Sequence, residues 1–322
     1  MTKDSMKSRR QKPIDLLAVG ELLVDGIATD SGRPLGKVRN FRLYQGGSAA
    51  NLAANMARLG NAASLIACVG EDGLGKALVA ELQAMGLNTG GVRFTSLMPT
   101  TLILIGRSAA TPEFIPYRMA DCLIEPDHIQ DADLERTTIF HSTCFALSAE
   151  PAQSSILHAA WRARERGCTL SLDMNYAPQI WPDRQEAQRI IAGYCESGCL
   201  IKLSRDDMIR LFQVTDDAAD SVINRLHEWG ANLVCLTLGS EGSLLSWNHG
   251  ALREHIPAQQ VRVADATGAG DAYWAGFLTA WLDGHEPPDC ARAATRMAAL
   301  KLQHVGPLPH KIQKSILYED GL

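Results

Sequence analysis

The stretch Asp265-Ala-Thr-Gly-Ala-Gly-Asp-Ala-Tyr273 places two glycines and a carboxylate at the start of a helix. From Tyr273 onward the apolar residues Tyr273, Trp274, Phe277, Leu278, Trp281 and Leu282 recur in pairs four apart, which predicts one helix closed by Gly284. Gly268, Ala269 and Gly270 then lie at its N-terminus. There unpaired amides and the helix dipole favour an anion, and small residues let a phosphate come close to the backbone. Asp271 falls in the first turn. A carboxylate beside an anion site suits phosphoryl transfer: amides hold the charge of the moving group while the carboxylate accepts the proton of an attacking hydroxyl. An acidic residue that only stabilises its own helix start is the competing account.

Two earlier stretches offer polar groups to a substrate. Residues 16–19 read as a buried strand ending in Gly20, and Glu21-Leu-Leu-Val-Asp25 carries it on to a carboxylate, at the strand end where α/β sheets bind ligands. Gly46-Gly-Ser-Ala-Ala-Asn51 opens a helix that runs through Leu59 to Gly60. The paired glycines let backbone approach a ligand, and Asn51 offers both a donor and an acceptor. Gly70-Glu-Asp-Gly-Leu-Gly-Lys-Ala77 nearly spells a P-loop, but Ala77 stands where a Ser or Thr must hold Mg²⁺.

The elements that must position these groups alternate. Apolar runs at 138–142, 169–173, 200–203 and 232–238 are separated by helical stretches such as 152–166 and 218–229, the mark of a parallel sheet with crossover helices. Turn residues and short strands at 31–45 suggest a small hairpin region outside that sheet, and 100–106 and 113–118 read as strands joined near Pro112. A final amphipathic helix covers 287–303.

A chain of 322 residues can bury one large α/β domain or two smaller ones. A net charge of -5 and a pI near 6.0 leave no basic footprint for nucleic acid and favour a small-molecule substrate. Eight cysteines without a Cys-x-x-Cys pair read as buried thiols of a reducing compartment, not a metal framework. Residues 1–12 are polar and basic with no apolar centre, neither signal peptide nor membrane span, so a tail-like N-terminus and a cytoplasmic protein without membrane partners are expected.

The chain resembles the ribokinase-like (PfkB) carbohydrate kinases over roughly residues 14 to 310. Residues 265–273 are similar to that family's Asp-Thr-x-Gly-Ala-Gly-Asp-x-Phe, departing at Ala266 and Tyr273, while Gly46, Gly47, Asn51, Ala53, Gly60 and Gly70 fit its N-terminal signature with both fixed gaps. The resemblance implies a doubly wound, mostly parallel α/β sheet with a small β lid. The kinase domain would span 13–312, with lid segments near 26–45 and 95–120 and tails at 1–12 and 313–322. It implies Asp271 as catalytic base, Gly268, Ala269 and Gly270 as anion hole, and Asp25, Gly46, Gly47 and Asn51 as sugar ligands.

Other stretches follow the same family less closely. Tyr117-Arg118 with Ala120-Asp121 resembles the fructokinase and 2-keto-3-deoxygluconate kinase branch, which offers Arg118 to the substrate. An ion pair with Asp121 or Glu125 is the alternative. Asp173-Met-Asn-Tyr-Ala177 carries Ala where the family has Arg, which favours a neutral sugar unless Arg118 or Arg107 compensates. Lys202-Leu-Ser204-Arg-Asp-Asp207 resembles a nucleotide segment whose acid positions Mg²⁺ through water, the role implied for Asp207, with a solvated helix start as the alternative. Thr237, Gly239, Ser240 and Gly242 look like the nucleotide loop. Asp265 and Thr267 match a K⁺ site whose second loop, beyond His304, departs from the pattern. The implied protein is an ATP- and Mg²⁺-dependent sugar kinase acting on a primary hydroxyl, fructokinase first, then 2-keto-3-deoxygluconate or nucleoside kinase. A non-catalytic, sugar-responsive regulator is the reading from another class. Exposed lid strands suggest a lid-to-lid homodimer.

Overall fold

A computed structural model describes residues 12–107, 113–304, 306 and 308–319. The apolar runs form strands β1 (Ile14–Val19), β4 (Ala63–Gly70), β8 (Thr137–Thr143), β9 (Thr169–Asp173), β10 (Cys199–Ser204) and β11 (Leu233–Thr237). With β5 (Asn88–Thr95) they make the parallel part of a nine-stranded sheet ordered β13-β12-β11-β10-β9-β8-β1-β4-β5. The hairpin β12 (Ser243–Trp247) and β13 (Leu252–Ile256) adds an antiparallel edge. Every residue of β4 and β8 is buried, as expected for strands covered by helices on both faces. The order departs from β1 in both directions, β4 to one side and β8 to the other, so the topological switch point lies beside β1.

A second sheet, ordered β3-β2-β6-β7, is built from β2 (Leu23–Ser31), β3 (Phe41–Gly46), β6 (Leu102–Arg107) and β7 (Phe114–Tyr117). β2 runs antiparallel to β3 and parallel to β6. Asp25 therefore does not end β1, as its contiguity in sequence suggests. The chain leaves the main sheet at Gly20, and Asp25 belongs to the small sheet. The turn expected near Pro112, and residues 1–11 of the expected N-terminal tail, lie outside the described residues.

The helices are α1 (Ser48–Arg58), α2 (Gly73–Ala84), α3 (Asp131–Glu135), α4 (Ala152–Glu165), α5 (Arg184–Cys195), α6 (Arg205–Phe212), α7 (Ala219–Glu228), α8 (Ala269–Leu282) and α9 (Pro287–Leu302). α8 lies inside the fold, with Trp274, Phe277 and Leu278 fully buried, each burial contributing ~1.5–3 kcal/mol. Its Trp274 indole donates to Ser171 on β9 at 2.9 Å, which fixes the helix over the sheet. Asp72, in the near-P-loop, accepts from Gly75 at the start of α2 and from the Thr100 amide and hydroxyl, tying α2 to the approach of β6.

The C-terminal reading needs correction. Residues 313–319 are not a tail: Leu317 is fully buried, its carbonyl accepts from Arg296 at 3.0 Å, and Lys314 pairs with Asp283 at 2.7 Å. No helix among the described residues is long and apolar enough to cross a membrane. The eight cysteines are free, seven of them buried.

Candidate active site

At the carboxyl end of the parallel sheet the starts of α8 and α1 meet the strand β2 and the ends of β9 and β10. Gly268 caps α8 with φ of 73°, a left-handed conformation that glycine adopts without strain. The Ala269 amide donates to the Ala266 carbonyl at 3.2 Å, whereas the amides of Gly268, Gly270 and Asp271 meet no acceptor among the described residues. Of the three residues expected to supply an anion hole, Ala269 is thus engaged, and the Asp271 amide is free in its place. Free amides at the positive end of a long helix make an anion site.

The Asp271 carboxylate is held from across the site. Ser48 donates its hydroxyl to Oδ1 at 2.7 Å and Asn51 its amide to Oδ2 at 2.8 Å. Gln45 donates to Asn51 Oδ1 at 2.8 Å and so fixes which way that amide points. Burial, followed by the nearby Asp173 charge, pushes the Asp271 carboxyl up to about 6, against the pull of Lys202 and the two hydrogen bonds. A carboxylate titrating there is ionised at neutral pH and still basic enough to take a proton.

Ser48 and Asn51 owe their position to a turn that admits little else. Gly47 has φ of 97°, and a Cβ there would lie 2.3 Å from the Glu21 carbonyl oxygen. Glu21, 1 % exposed, accepts from the Ser48 and Ala49 amides at 2.8 and 3.3 Å and from the Thr143 hydroxyl at 2.7 Å. It therefore caps α1 from the end of β1 and clamps the helix to the sheet. Burial pushes Glu21 up to about 7. Sequence reasoning passed over both Glu21 and the Ser48 hydroxyl. The available signal was an acid placed two residues beyond a buried strand.

Asp25 lies over Gly46, where a Cβ would approach its Oδ2 to 2.3 Å. Its carboxylate accepts no hydrogen bond from the described residues. Burial, then the charges of Asp271 and Glu21, push it up to about 7. Asp25 and Asn51 line a cavity of about 650 Å³ between the small sheet and the 265–268 turn, with Gly268 on its wall. An unpartnered carboxylate on a cavity wall suits a ligand that donates hydroxyls.

Below the start of α8, Lys202 pairs with both oxygens of Asp173 at 3.0 and 2.9 Å, both residues being buried. Its Nζ lies 2.9 Å from where a Cβ on Gly270 would stand, so the ammonium faces the free amides. Burial alone would lower the Lys202 pKa, but the charges of Asp173, Asp207 and Asp271 outweigh it and hold the ammonium above its ordinary value. Asp207 is engaged in local structure: with Ser204 it forms the capping box of α6, and its Oδ1 accepts from the Tyr176 amide at 2.8 Å. Thr237, in register with Ser204, ends β11, and Gly239, Ser240 and Gly242 turn the chain back into β12 along the same edge of the sheet.

Arg118 is drawn into an internal network. It pairs with Asp121 at 2.7 Å, donates to Ser148 at 2.6 Å and stacks over the Phe145 ring at 4.1 Å. Asp121, of the two acids expected as ion-pair partners, takes it, and Arg118 is absent from the cavity wall. Asp265 accepts from the Thr267 amide at 3.0 Å, and the Lys301 ammonium lies 3.8 Å from its other oxygen.

The profile of the pfkB family of carbohydrate kinases matches residues 14–312. An ATP-dependent 6-phosphofructokinase of Thermoanaerobacterium thermosaccharolyticum is 32% identical over 92% of this chain and 90% of its own length. Fructokinase-1 of Zea mays is 32% identical over 82% of this chain and 81% of its own. Among solved structures, a Halothermothrix orenii fructokinase superposes with a TM-score of 0.76 at 32% identity, covering 88% of this chain and 98% of its own.

Proposed function

The chain belongs to the pfkB family of carbohydrate kinases and is an ATP-dependent sugar kinase, and from that premise we propose that it moves the γ-phosphoryl group of ATP to a primary hydroxyl of a ketohexose of the fructose type. The observation that carries the reading is the Asp271 carboxylate, oriented by Ser48 and Asn51 beside the free amides of Gly268 and Gly270. Fructokinase relatives support the sugar.

In this reading the sugar donates hydroxyls to Asp25 and Asn51, which sets its primary hydroxyl against Asp271. That hydroxyl gives its proton to Asp271 as its oxygen attacks the γ-phosphorus and the bond to the β-phosphate oxygen breaks. The free amides and Lys202 hold the charge on the moving group. The nucleotide lies along the Ser204, Thr237 and Gly239 edge. Mg²⁺ suits this site, because Asp207 is buried and the Lys202 ammonium near it is already taken by both oxygens of Asp173, which leaves the Asp207 charge to be neutralised. It would sit there through water and neutralise the ATP phosphates. Closure of the small sheet excludes water. On the outer face of that sheet Leu43 and Ile115, both exposed, share a row with Gly26 and Leu104, a surface suited to a lid-to-lid dimer that light scattering would detect as doubled mass.

ADP release with Mg-ATP against fructose, other hexoses, ribose, 2-keto-3-deoxygluconate and nucleosides tests the reading. Release with fructose above the other neutral sugars and the nucleosides is expected. Binding of fructose, seen as a thermal shift, without ADP release under any of these sugars would instead identify a sugar-responsive regulator. The monovalent cation enters the same assay. Lys301 sets a fixed positive charge against Asp265 and donates to the His304 carbonyl at 3.3 Å, between the two loops of the K⁺ site that the family resemblance implies. Turnover is therefore expected to be equal in K⁺, Na⁺ and Li⁺, and strong stimulation by K⁺ would count against that role.

Asp271 works only when ionised, so kcat/KM is expected to fall about tenfold per pH unit below about 6 and to level off above 7, more steeply where Asp25 also protonates. Stability should run the other way. Glu21, Asp25 and Asp271 titrate higher in the folded protein than in the unfolded chain, so their contribution is full below about pH 4 and is lost as the pH rises through 6 to 7. The Tm of the sugar-free protein, compared with that of Asp25→Asn, is expected to gain on acidification from pH 8 to 6.

A further inference from the structure

The neutral-sugar expectation rests on Ala177, yet that residue does not line the cavity. Its carbonyl accepts from Ile180 and Trp181 in the turn beside Tyr176, whose amide is bound by Asp207, on the nucleotide side of the site. Among the charged side chains that do line the cavity the cations outnumber the acids, with Glu81 close to Arg58. At one end stand Asp25 and Asn51. Toward the other stand Arg42 and Arg107, on strands flanking β2.

The sheet register gives the scale. Arg42 is the partner of Ile27, two residues beyond Asp25, which places it about 7 Å along the strand from the carboxylate, roughly one sugar length. Arg107, two residues beyond Ile105, lies two strands away from Arg42, about 12 Å between Cα atoms, so two long side chains can converge on one group between them. Neither guanidinium has a carboxylate partner or a hydrogen bond among the described residues; Arg42 rests only over the Tyr44 ring, at 5.5 Å. Arg58, 5 % exposed, also lines the cavity; two of its nitrogens donate to Asn55 and to the Met85 sulfur, each at 2.9 Å, and only its buried Nε is without a hydrogen-bond partner among the described residues. The remaining cation on the wall, Lys301, is committed to Asp265. Unpaired guanidinium groups facing a cavity are donors preset for an oxyanion, and a tetrahedral dianion suits several of them at once.

We propose that Arg42 and Arg107, backed by Arg58, bind an anionic group on the far end of the acceptor sugar, so that the preferred substrate is a keto-sugar phosphate and not the free sugar. This rests on the kinase reading above and names the substrate class of that same cavity. The hydroxyl end remains with Asp25 and Asn51, and the anion fixes the distance between the two.

The test compares kcat/KM of the full chain for fructose, fructose 6-phosphate and 2-keto-3-deoxygluconate, with Arg42→Gln, Arg107→Gln and the double variant. Both side chains are exposed, and an unchanged melting temperature reports that the variants fold. The expected result is a preference for fructose 6-phosphate that each substitution erodes roughly ten- to a hundredfold through KM, the worth of a charged hydrogen bond, with a smaller loss for fructose. A preference for the sugar acid that the same substitutions erode supports anion recognition with a carboxylate in place of the phosphate. Equal use of fructose and its phosphate, or a preference that survives in the double variant, overturns the proposal. Calorimetric titration with fructose 6-phosphate separates this inference from the kinase reading. Binding lost in the double variant, without ADP release from any sugar, keeps the anion site and removes the kinase reading. Absence of both binding and release removes both.

Discussion

Asp271→Asn is expected to lower turnover by ~10²–10⁴ while ATP still binds, and to raise the melting temperature of the sugar-free protein. The loss follows from the role. With no base to take the proton, the attacking hydroxyl must lose it to water from a site that excludes water, while the amides and Lys202 that meet the phosphates remain in place. The gain in stability follows from the cost of the native carboxylate. Raising its pKa from 3.8 to about 6 corresponds to ~3 kcal/mol held against the folded state at neutral pH, to order of magnitude. Asn removes that charge and keeps the shape, and the Ser48 hydroxyl, which now donates to Oδ1, can turn to accept from the new amide. Near-normal turnover would refute Asp271 as the base. Lost turnover with a lower Tm would mean that the carboxylate is needed to hold α8 against α1, and that its catalytic weight has been overstated.

How much of this site is legible in the sequence depends on the range of the interaction involved. The α8 start can be read because small residues, an acid and a helical apolar period are contiguous between Gly268 and Leu282. The strands β8 to β11 can be read because each has an apolar or β-branched stretch set between helical segments, even where His141, Ser171 and Lys202 interrupt it. Ser204 and Asp207 lie between these cases. Their spacing is that of a capping box, a local signal, and local hydrogen bonding is what both side chains perform. What cannot be read is where elements meet. Asp25 follows β1 in sequence but pairs with Tyr44 and Ile103 in another sheet. Glu21 acquires its role only when α1 is set on the end of β1, and the Ser48 hydroxyl only when α8 arrives from more than two hundred residues away. Ala177 shows the same limit: its place in a motif says nothing of which wall of the site it faces, and it does not line the cavity. Residues 313–319 look polar enough for a tail, yet Ile312, Ile316 and Leu317 supply the apolar contacts that dock them.

Lys202→Met separates the structural from the chemical part of the buried ion pair. The single substitution leaves the Asp173 carboxylate buried without its cation, which is expected to destabilise the fold by roughly 3–5 kcal/mol and to lower turnover at the same time. Taken alone, that result would not tell a catalytic lysine from a structural one. The double variant Lys202→Met with Asp173→Leu does, because replacing both members of a buried pair with apolar groups is close to neutral for stability. Tm should therefore recover toward that of the native protein. Turnover should not: without the ammonium facing Gly270, the charge on the moving phosphoryl group loses a donor set in place beforehand, a loss of ~10²–10³ in kcat. KM for the sugar should move little, since neither Lys202 nor Asp173 lines the cavity that Asp25 and Asn51 line. A double variant that regains both stability and rate would reduce Lys202 to the counter-ion of Asp173 and leave the α8 amides to hold the transferring group alone.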